Sequence, residues 1–279
     1  MENIYKTIRI KAKMKQDEFA NYLGTTIGTI NRWENNKTEP TKMALLQLAR
    51  FCEDKDLSIF NEVVDSYDKA DVLFHGSKSG IVGDIKPNSR SACDFGKGFY
   101  MGEKIVQPLT LISGFDNPIF YYVKINYDGL KVLDLKLDLD WALLIAFSRG
   151  FMEEYKGSKL YEKYANRLNG YDLVRGYIAD DKIFTSLTRF FNKSITDVAL
   201  INCLLAMDLG KQTVAITEKA CNQIKIIDKR KINEFEKIVI EDEYERLKYQ
   251  SKIITDNTLL KYRREGKYFD EIMEEDKLW

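Results

Sequence analysis

The sequence is short of histidine, of paired cysteine and of long apolar runs, and each shortage excludes a class of protein. Its 279 residues include one histidine and four cysteines. The cysteines, Cys52, Cys93, Cys203 and Cys221, lie far apart without a CxxC pair, so we expect reduced thiols and neither a metal site nor a disulfide framework. No stretch of 18 or more apolar residues occurs, which argues against a transmembrane helix.

An excess of charge of either sign is also absent. The chain has 43 basic and 43 acidic residues, so no global field draws it to nucleic acid or to a membrane. Its first residues carry charges every few positions and lack the apolar core of a signal peptide. The sequence therefore predicts a cytoplasmic protein that does not bind membranes.

Length and pattern predict two domains and a C-terminal extension, in an α+β fold. Residues 1–65 have a helical pattern, residues 70–230 mix strand-like with helical runs, and residues 231–279 read as a charged helical extension. In IFYYVKINYDGLKVLDL two β-rich runs meet at Asp128-Gly129, a dipeptide favoured in hairpin turns. We therefore expect a β-hairpin at this point.

The N-terminal stretch QDEFANYLGTTIGTINRWE has the pattern of two short helices joined by a tight turn. One helix is predicted over 16–23 and another over 26–34, with Gly24 allowing the turn. The small Ala20 lies where the helices cross, and Ile30 returns to the core. The stretch resembles the Cro and lambda-repressor type of helix-turn-helix over roughly the first 55 residues.

A helix-turn-helix of this type places its second helix in a major groove of DNA. The candidate DNA contacts are Gln16, Thr26, Thr29, Asn31 and Arg32. The candidate phosphate contacts are Lys13, Lys15, Arg32 and Lys37. Because residues 1–60 hold ten basic and eight acidic residues, their electrostatic attraction to DNA is slight. A helical module for dimerisation or partner docking is the alternative.

The single histidine, His75, ends an apolar run in DVLFHGS, and DFGKGFYM begins at residue 94. Alone, His75 is more typical of a packed strand residue than of a ligand site. Three glycines at these strand ends would let a planar ligand approach the backbone: Gly76, Gly96 and Gly98. The Tyr100 ring could form one wall of a slot for an aromatic group, and the Lys97 cation suits a phosphate. Together, the two motifs indicate a ligand site.

The two motifs resemble the NAD-binding core of the ADP-ribosyltransferases, in the poly(ADP-ribose) polymerase-like and diphtheria-toxin-like clade with a His-Tyr-Glu triad. The chain is also similar to an uncharacterised bacterial family of predicted ADP-ribosyltransferases, through Trp141, YDLVRGYIADDK at 171–182 and QTVAITEKA at 212–220. The resemblance covers about residues 70–228. It implies a split β-sandwich with helices, in which NAD lies in a cleft between two packed, mostly antiparallel sheets.

The resemblance implies a role for each matching residue. His75 would hold the adenosine ribose through a ring N–H or lone pair, the Gly76 backbone would pair with the nicotinamide carboxamide, and Tyr100 would stack on the nicotinamide ring. Gln212 stands where the clade has glutamate, and it supplies a hydrogen bond without a negative charge. The implied catalytic residues are His75, Tyr100 and Gln212. The implied NAD contacts are His75, Gly76, Ser77, Gly96, Lys97, Gly98 and Tyr100.

Two further positions complete the expected site. Asp180 and Asp181 would orient the acceptor or the ribose hydroxyls, or else cap a helix or turn. Where polymerases of the clade carry a second stacking tyrosine, this sequence has Pro108 and Leu111. We therefore expect the second wall of the nicotinamide slot to be aliphatic or to come from another element.

The resemblance implies a NAD-dependent mono-ADP-ribosyltransferase that modifies a macromolecular target, either protein or nucleic acid. Such an enzyme could be a toxin with a cognate antitoxin, or a phage-defence effector, whose helix-turn-helix binds DNA and regulates its own gene. No metal is needed, because cleavage of the nicotinamide–ribose bond depends mainly on positioning and on stabilising positive charge on the ribose. Two alternatives stay open: a transcriptional regulator that senses NAD or ADP-ribose without turnover, and a NAD glycohydrolase.

Overall fold

The chain folds into two compact units. The computed structural model describes residues 3–57, 72–179, 181–207 and 210–277. The units comprise residues 1–70 with 231–243, and residues 71–230 with 244–279. The C-terminal segment 231–279 is helical over most of its length, and it is divided between the two units.

Helices dominate the first unit, and the second combines helices with a sheet. The helices are α1 (Ile4–Lys11), α2 (Gln16–Tyr22), α3 (Ile27–Glu34), α4 (Lys42–Asp54), α5 (Val106–Ile112), α6 (Leu139–Ser148), α7 (Lys159–Ala165), α8 (Asp181–Phe191), α9 (Asp197–Ala206), α10 (Glu218–Cys221), α11 (Glu234–Tyr262) and α12 (Phe269–Lys277), with a short 3-10 helix at Glu153–Tyr155. The strands are β1 (Leu73–Ser77), β2 (Phe99–Gly102), β3 (Ile119–Ile125), β4 (Val132–Asp134), β5 (Leu173–Tyr177), β6 (Lys211–Ala215) and β7 (Ile224–Lys231). The predicted α+β class is confirmed.

The turn between α2 and α3 organises the first unit. Gly24 follows α2 with a φ of +60°, in the left-handed region that glycine adopts most easily. Thr26 caps α3, since its side-chain oxygen accepts a hydrogen bond from the Thr29 backbone N–H at 3.2 Å. Ala20 and Ile30 are both buried, at the positions where the motif needs a small and an apolar residue. The predicted helix-turn-helix is confirmed.

A small aromatic core holds the first unit together. Phe19 of α2 and Phe51 of α4 pack edge to face with their ring centroids 5.1 Å apart. Phe235, at the start of α11, is fully buried in the same cluster and lies 6.5 Å from the Tyr5 ring. The chain therefore supplies this core from residues far apart in sequence as well as from the motif itself.

The second unit is built on one seven-stranded sheet with the order β4-β5-β6-β2-β1-β3-β7. Strand β1 shares five residue pairs with β3, and β2 shares four with β6. By contrast, β1 and β2 share a single pair, Phe74 with Gly102. We call this β1–β2 junction the seam. The resemblance implies two packed sheets, whereas the strands form one sheet, whose halves are joined at the seam by a single residue pair among the residues that the structure describes.

The prediction of a β-hairpin at Asp128-Gly129 is wrong. The turn itself is present, because Gly129 has a φ of +70° and the Asn126 side chain accepts a hydrogen bond from the Asp128 backbone N–H at 3.0 Å. However, β3 pairs with β1, while β4 pairs in parallel with β5. The Lys131 carbonyl accepts from the Asp172 backbone N–H at 2.8 Å, and the Asp172 side chain accepts from the Lys131 N–H at 3.0 Å. These bonds bring the chain after the turn to β5 rather than back to β3.

Helix α6 supplies much of the core of the second unit. Residues 141–146 are all buried, and Trp141 is fully enclosed. Burial on every side explains why this ten-residue helix is so apolar. Among the described parts of the chain, no helix is long and apolar enough to cross a bilayer.

Candidate functional site

The three residues of the expected triad lie on three neighbouring strands. His75 is on β1, Tyr100 is on β2 and Gln212 is on β6, and these strands are adjacent in the order β6-β2-β1. Tyr100 pairs with Val214, and Gln212 pairs with Gly102. The structure therefore brings the strands of the three residues together around the seam, with Tyr100 and Gln212 on one face of the sheet and His75 on the other.

His75 bridges the seam with its side chain. Its Nδ1 lies 2.7 Å from the Tyr100 carbonyl oxygen. Because a carbonyl only accepts hydrogen bonds, Nδ1 must carry the hydrogen. Burial lowers the pKa of His75 below its usual value, and the bond to the Tyr100 carbonyl opposes that shift only in part. The ring is therefore neutral near pH 7, and its Nε2 lone pair is left as an acceptor.

Tyr100 and His75 belong to opposite faces of the sheet. Side chains of directly paired residues share a face, so Tyr100, Val214 and Gln212 lie together. The His75 ring instead stacks on Phe99, with centroids 4.1 Å apart and planes 23° from parallel. His75 contacts the Tyr100 side of the seam through the backbone only.

The Tyr100 hydroxyl is used within the fold. It donates to the Gly96 carbonyl at 2.7 Å and accepts from the Phe95 backbone N–H at 3.0 Å. Burial is the main cause that raises the pKa of Tyr100 above its usual value. The hydroxyl therefore stays protonated and fixes the loop before β2, which leaves the half-buried ring as the part available to a ligand.

The glycines of the two motifs have different physical roles. A Cβ on Gly76 would lie 2.6 Å from the Pro108 carbonyl oxygen, and one on Gly98 would lie 2.4 Å from Val214 Cγ1. Protein atoms therefore already fill the space beside both residues. Gly96 has a φ of +72°, and a Cβ there would meet nothing closer than 3.9 Å. Gly96 is required by its backbone conformation, and its surroundings are open.

The remaining expected contacts are spread around the seam. The Ser77 side chain accepts a hydrogen bond from the Gly80 N–H at 3.0 Å and so closes the turn after β1, while Lys97 is exposed. Of the two candidates for a second wall, Pro108 is buried against Gly102, whereas Leu111 is 75% exposed. Of the expected acidic pair, Asp180 lies outside the described residues, and Asp181 is the first residue of α8.

A buried carboxylate that was not predicted from the sequence lies beside Gln212. Asp94 is 6% exposed and accepts hydrogen bonds from Arg149 Nε at 3.1 Å and Nη2 at 2.5 Å. It also accepts from the Ala179 backbone N–H at 2.9 Å and from Gln212 Nε2 at 2.7 Å. The only sequence signal was an acidic residue directly before the FGKGFY motif, because its partners lie 55 to 118 residues away along the chain.

The Gln212 carboxamide has a defined orientation. Its Nε2 donates both to Asp94 and, at 3.2 Å, to the Tyr177 carbonyl. Both neighbours are acceptors, so only the NH₂ end can face them. Its Oε1 accepts no hydrogen bond from the part of the chain that the structure describes. Gln212 therefore offers an acceptor to any ligand that reaches it.

The four thiols are all free. Burial raises the pKa of Cys52 to about 12, and that of Cys203 and Cys221 to about 11. Buried thiols of this kind are unreactive at neutral pH. Within residues 3–57, 72–179, 181–207 and 210–277, no group of three or more His, Cys, Asp or Glu side chains is placed to hold a metal ion.

The expected DNA-binding face of the first unit is largely exposed. Around α3, Thr26, Asn31 and Arg32 are exposed and Thr29 is half-buried. The candidate phosphate contacts Lys13, Lys15 and Lys37 are exposed as well. The candidate base contacts and the candidate phosphate contacts are thus both accessible on this unit.

Gln16 is the exception among the expected DNA contacts. Its Nε2 donates to Glu34 at 2.8 Å, and Arg9 Nε donates to the same carboxylate at 2.5 Å. Burial alone would raise the pKa of Glu34, but the bonds from Arg9 and Gln16 hold it below its usual value. This ionised carboxylate joins α1, α2 and α3.

Comparison with known protein families covers both units. Residues 72–226, more than half of the chain, match the family model described as "Protein of unknown function (DUF3990)". The chain belongs to the DUF3990 family. The seam and the Asp94 group lie inside the DUF3990 match. Residues 6–60 match a helix-turn-helix family, so the first unit is a helix-turn-helix domain of the DNA-binding type. No curated protein and no solved structure matches the chain.

Proposed function

We propose that this DUF3990 protein is a NAD-dependent mono-ADP-ribosyltransferase with a macromolecular acceptor. The observation that supports the proposal is the placement of His75, Tyr100 and Gln212 on three successive strands at the seam. At this junction a single residue pair joins β1 to β2, and on the face that carries Tyr100 the described residues place no hydrogen-bond donor on Gln212 Oε1, so that oxygen can receive a hydroxyl donor. The two riboses of NAD carry hydroxyl groups of this kind.

In the proposed reaction the bond between the nicotinamide nitrogen and ribose C1′ breaks, and its electron pair neutralises the pyridinium ring. A nucleophilic atom of the acceptor forms the new bond to C1′ and releases its proton to solvent. Positive charge develops on the ribose during this step. The Gln212 carbonyl dipole stabilises that charge and orients a ribose hydroxyl. His75 lies on the opposite face of the sheet, and its Nδ1 donates to the Tyr100 carbonyl, so its part in the proposal is to hold the Tyr100 strand in place rather than to transfer a proton.

The DNA-binding domain extends the proposal to a biological role. A chain that joins a helix-turn-helix domain to a transferase domain suits a toxin that regulates its own gene together with a cognate antitoxin. A phage-defence effector has the same requirements. In both cases ADP-ribose is transferred to a protein or a nucleic acid, and expression of the active chain should arrest growth.

The proposal is tested with the full chain, labelled NAD and whole-cell extract. We expect the wild type to release nicotinamide and to move the adenosine label into material that protease or nuclease degrades. Gln212→Ala should lower the rate about 100-fold, the usual loss for one donor or acceptor that acts in the transition state. Gln250→Ala is the matched control, because Gln250 is exposed on α11 and should leave the rate unchanged.

The other results each have a definite meaning. Binding of NAD without nicotinamide release by the wild type would contradict the enzyme and favour a NAD-sensing regulator. Release of free ADP-ribose in every extract would favour a glycohydrolase. If the wild type neither binds nor consumes NAD, the seam is not a NAD site.

A further inference from the structure

We propose that Asp94 is a positioning residue for Gln212, and that it makes glutamine rather than glutamate the residue that fits at position 212. The assignment of Gln212 Oε1 to a ribose hydroxyl rests on the proposed function. The mutual dependence of Asp94 and position 212 does not, and it can be measured without NAD.

The hydrogen bonds of Asp94 leave room for one kind of partner at position 212. A carboxylate has about four lone-pair sites, and Asp94 receives hydrogens from Arg149 Nε, Arg149 Nη2, the Ala179 N–H and Gln212 Nε2. Its acceptor capacity is therefore filled. The arginine and the carboxylate neutralise each other, so the group needs a neutral donor as its last member. A glutamine amide meets that requirement.

Glutamate at position 212 would reverse this match. A carboxylate has no hydrogen to donate, yet it would stand where Gln212 Nε2 now lies, 2.7 Å from Asp94 and 3.2 Å from the Tyr177 carbonyl. Two carboxylates at that separation repel each other so strongly that one takes up a proton or the side chains move apart. Arg149 already bonds to both the Asp94 carboxylate and the Ala179 carbonyl. The glutamate typical of the clade is thus excluded by its neighbour.

Asp94 also decides which end of the Gln212 amide faces the seam. Two acceptors, Asp94 and the Tyr177 carbonyl, hold the NH₂ group, so Oε1 faces away from them. Asparagine at position 94 could donate to Gln212 and turn the amide, so that Gln212 would present donors in place of its acceptor. The ribose contact would then be lost although the fold is retained.

The first test is a double-mutant cycle by urea unfolding of the full chain. Gln212→Glu and Asp94→Asn should each raise the unfolding equilibrium constant at least tenfold. The double variant should lie closer to the wild type than either single variant, because the asparagine amide can donate to the introduced carboxylate. Asp134→Asn is the matched control, since Asp134 pairs with Arg175 at an exposed position and should change little. If Gln212→Glu does not fold, recovery of folded protein in the double variant reports the same coupling.

The second test is kinetic and separates positioning from packing. Asp94→Asn, assayed where it is fully folded, should lower kcat for nicotinamide release about tenfold with little change in KM, and the double variant should regain that loss. Additive effects in the unfolding cycle, or an active and stable Gln212→Glu, would overturn the proposal while leaving a transferase intact. If the unfolding cycle shows coupling but the wild type consumes no NAD, the dependence between Asp94 and Gln212 is supported and the transferase function is contradicted.

Discussion

Each unit of the protein buries one carboxylate that is shared by one arginine and one glutamine. The two groups are Glu34 with Arg9 and Gln16, and Asp94 with Arg149 and Gln212. The shortest arginine bond is 2.5 Å in both, and the glutamine bonds are 2.8 and 2.7 Å. The same chemistry therefore serves two folds.

The two groups differ in what they hold. Glu34 joins helices whose residues lie 18 and 25 positions away in one local motif. Asp94 joins segments 55 and 118 positions away, and its glutamine lies on β6 between Gly102 and Gly176 of the neighbouring strands. The first group stabilises a local motif, whereas the second orients the Gln212 side chain at the proposed site. The two groups contain the same residue types, so their different roles follow from where each group lies in the fold.

Removing either carboxylate should produce the largest effects. Glu34→Ala and Asp94→Ala each leave an arginine without its partner in a mostly buried place, which costs about 3–5 kcal/mol. Urea unfolding should show that loss in the unit that carries the substitution, with Trp33 reporting on the first unit and Trp141 on the second. Only Asp94→Ala should also abolish nicotinamide release. Equal loss of that activity in both variants would contradict the division of roles.

The next effect comes from a glycine at the seam. Gly76→Ala adds a Cβ 2.6 Å from the Pro108 carbonyl and 2.9 Å from Ile112, so we expect a loss of about 1–3 kcal/mol in the second unit. Gly114→Ala is the control, because no atom lies within 4 Å of its Cβ position and its φ is not positive. Thermal unfolding of the two variants measures the difference. Similar midpoints would mean that α5 does not pack tightly on β1.

A smaller effect is expected at the cap of the recognition helix in the first unit. Thr26→Ala removes the acceptor for the Thr29 N–H and should lower helix stability by about 1 kcal/mol. Binding to a duplex of mixed sequence at low salt, followed by fluorescence anisotropy, should weaken, while nicotinamide release should not change. Thr26→Ser keeps the acceptor and should bind like the wild type. Unchanged DNA binding by Thr26→Ala would argue against α3 as the reading helix.

The smallest expected effect is a difference between the two units in how their stability depends on pH. The pKa of His75 is lowered in the folded state, so the unfolded chain binds more protons, and stability falls as pH drops from about 6.5 through the folded pKa. The slope for one proton is at most about 1.4 kcal/mol per pH unit. Glu34 also has a lowered pKa, so the first unit should lose its contribution only below about pH 4.5, the ordinary range of a carboxyl group.

This pH difference can be measured directly. Between pH 7.5 and pH 5.5, the urea midpoint of the second unit should decrease as the pH is lowered, whereas that of the first unit should stay the same. His75→Asn should remove the part of the slope that belongs to the imidazole. Because the chain has a single histidine, its NMR signal can be followed without assignment. A midpoint pH for that signal above 6.5 would contradict a buried neutral ring.

The sequence predicted local structure better than long-range pairing. The helix-turn-helix was visible because its small, flexible and apolar positions recur at fixed spacing within about 20 residues. The turn at Gly129 was visible for the same reason. The partner of β4 was not, because β5 lies about 40 residues further along and is selected by Asp172. A dipeptide specifies a turn and carries no information on which strand follows.

The same limit explains what was missed at the seam. His75, Tyr100 and Gln212 were found through motifs, and the adjacency of their strands came from the resemblance rather than from periodicity. Asp94 was overlooked because nothing near it in sequence marks it as buried; Arg149 lies after an apolar helix and looks like an ordinary C-terminal cation. A carboxylate can be recognised as part of a site only when the donors that surround it are known.

The single residue pair at the seam also predicts how a bound ligand would change the stiffness of the sheet. Five pairs resist separation of β1 from β3, four resist separation of β2 from β6, and one resists separation of β1 from β2. A molecule that forms hydrogen bonds with both β1 and β2 would add connections at a junction where a single residue pair now joins the strands. Ligand binding should then slow amide hydrogen exchange in β1 and β2 at the same time.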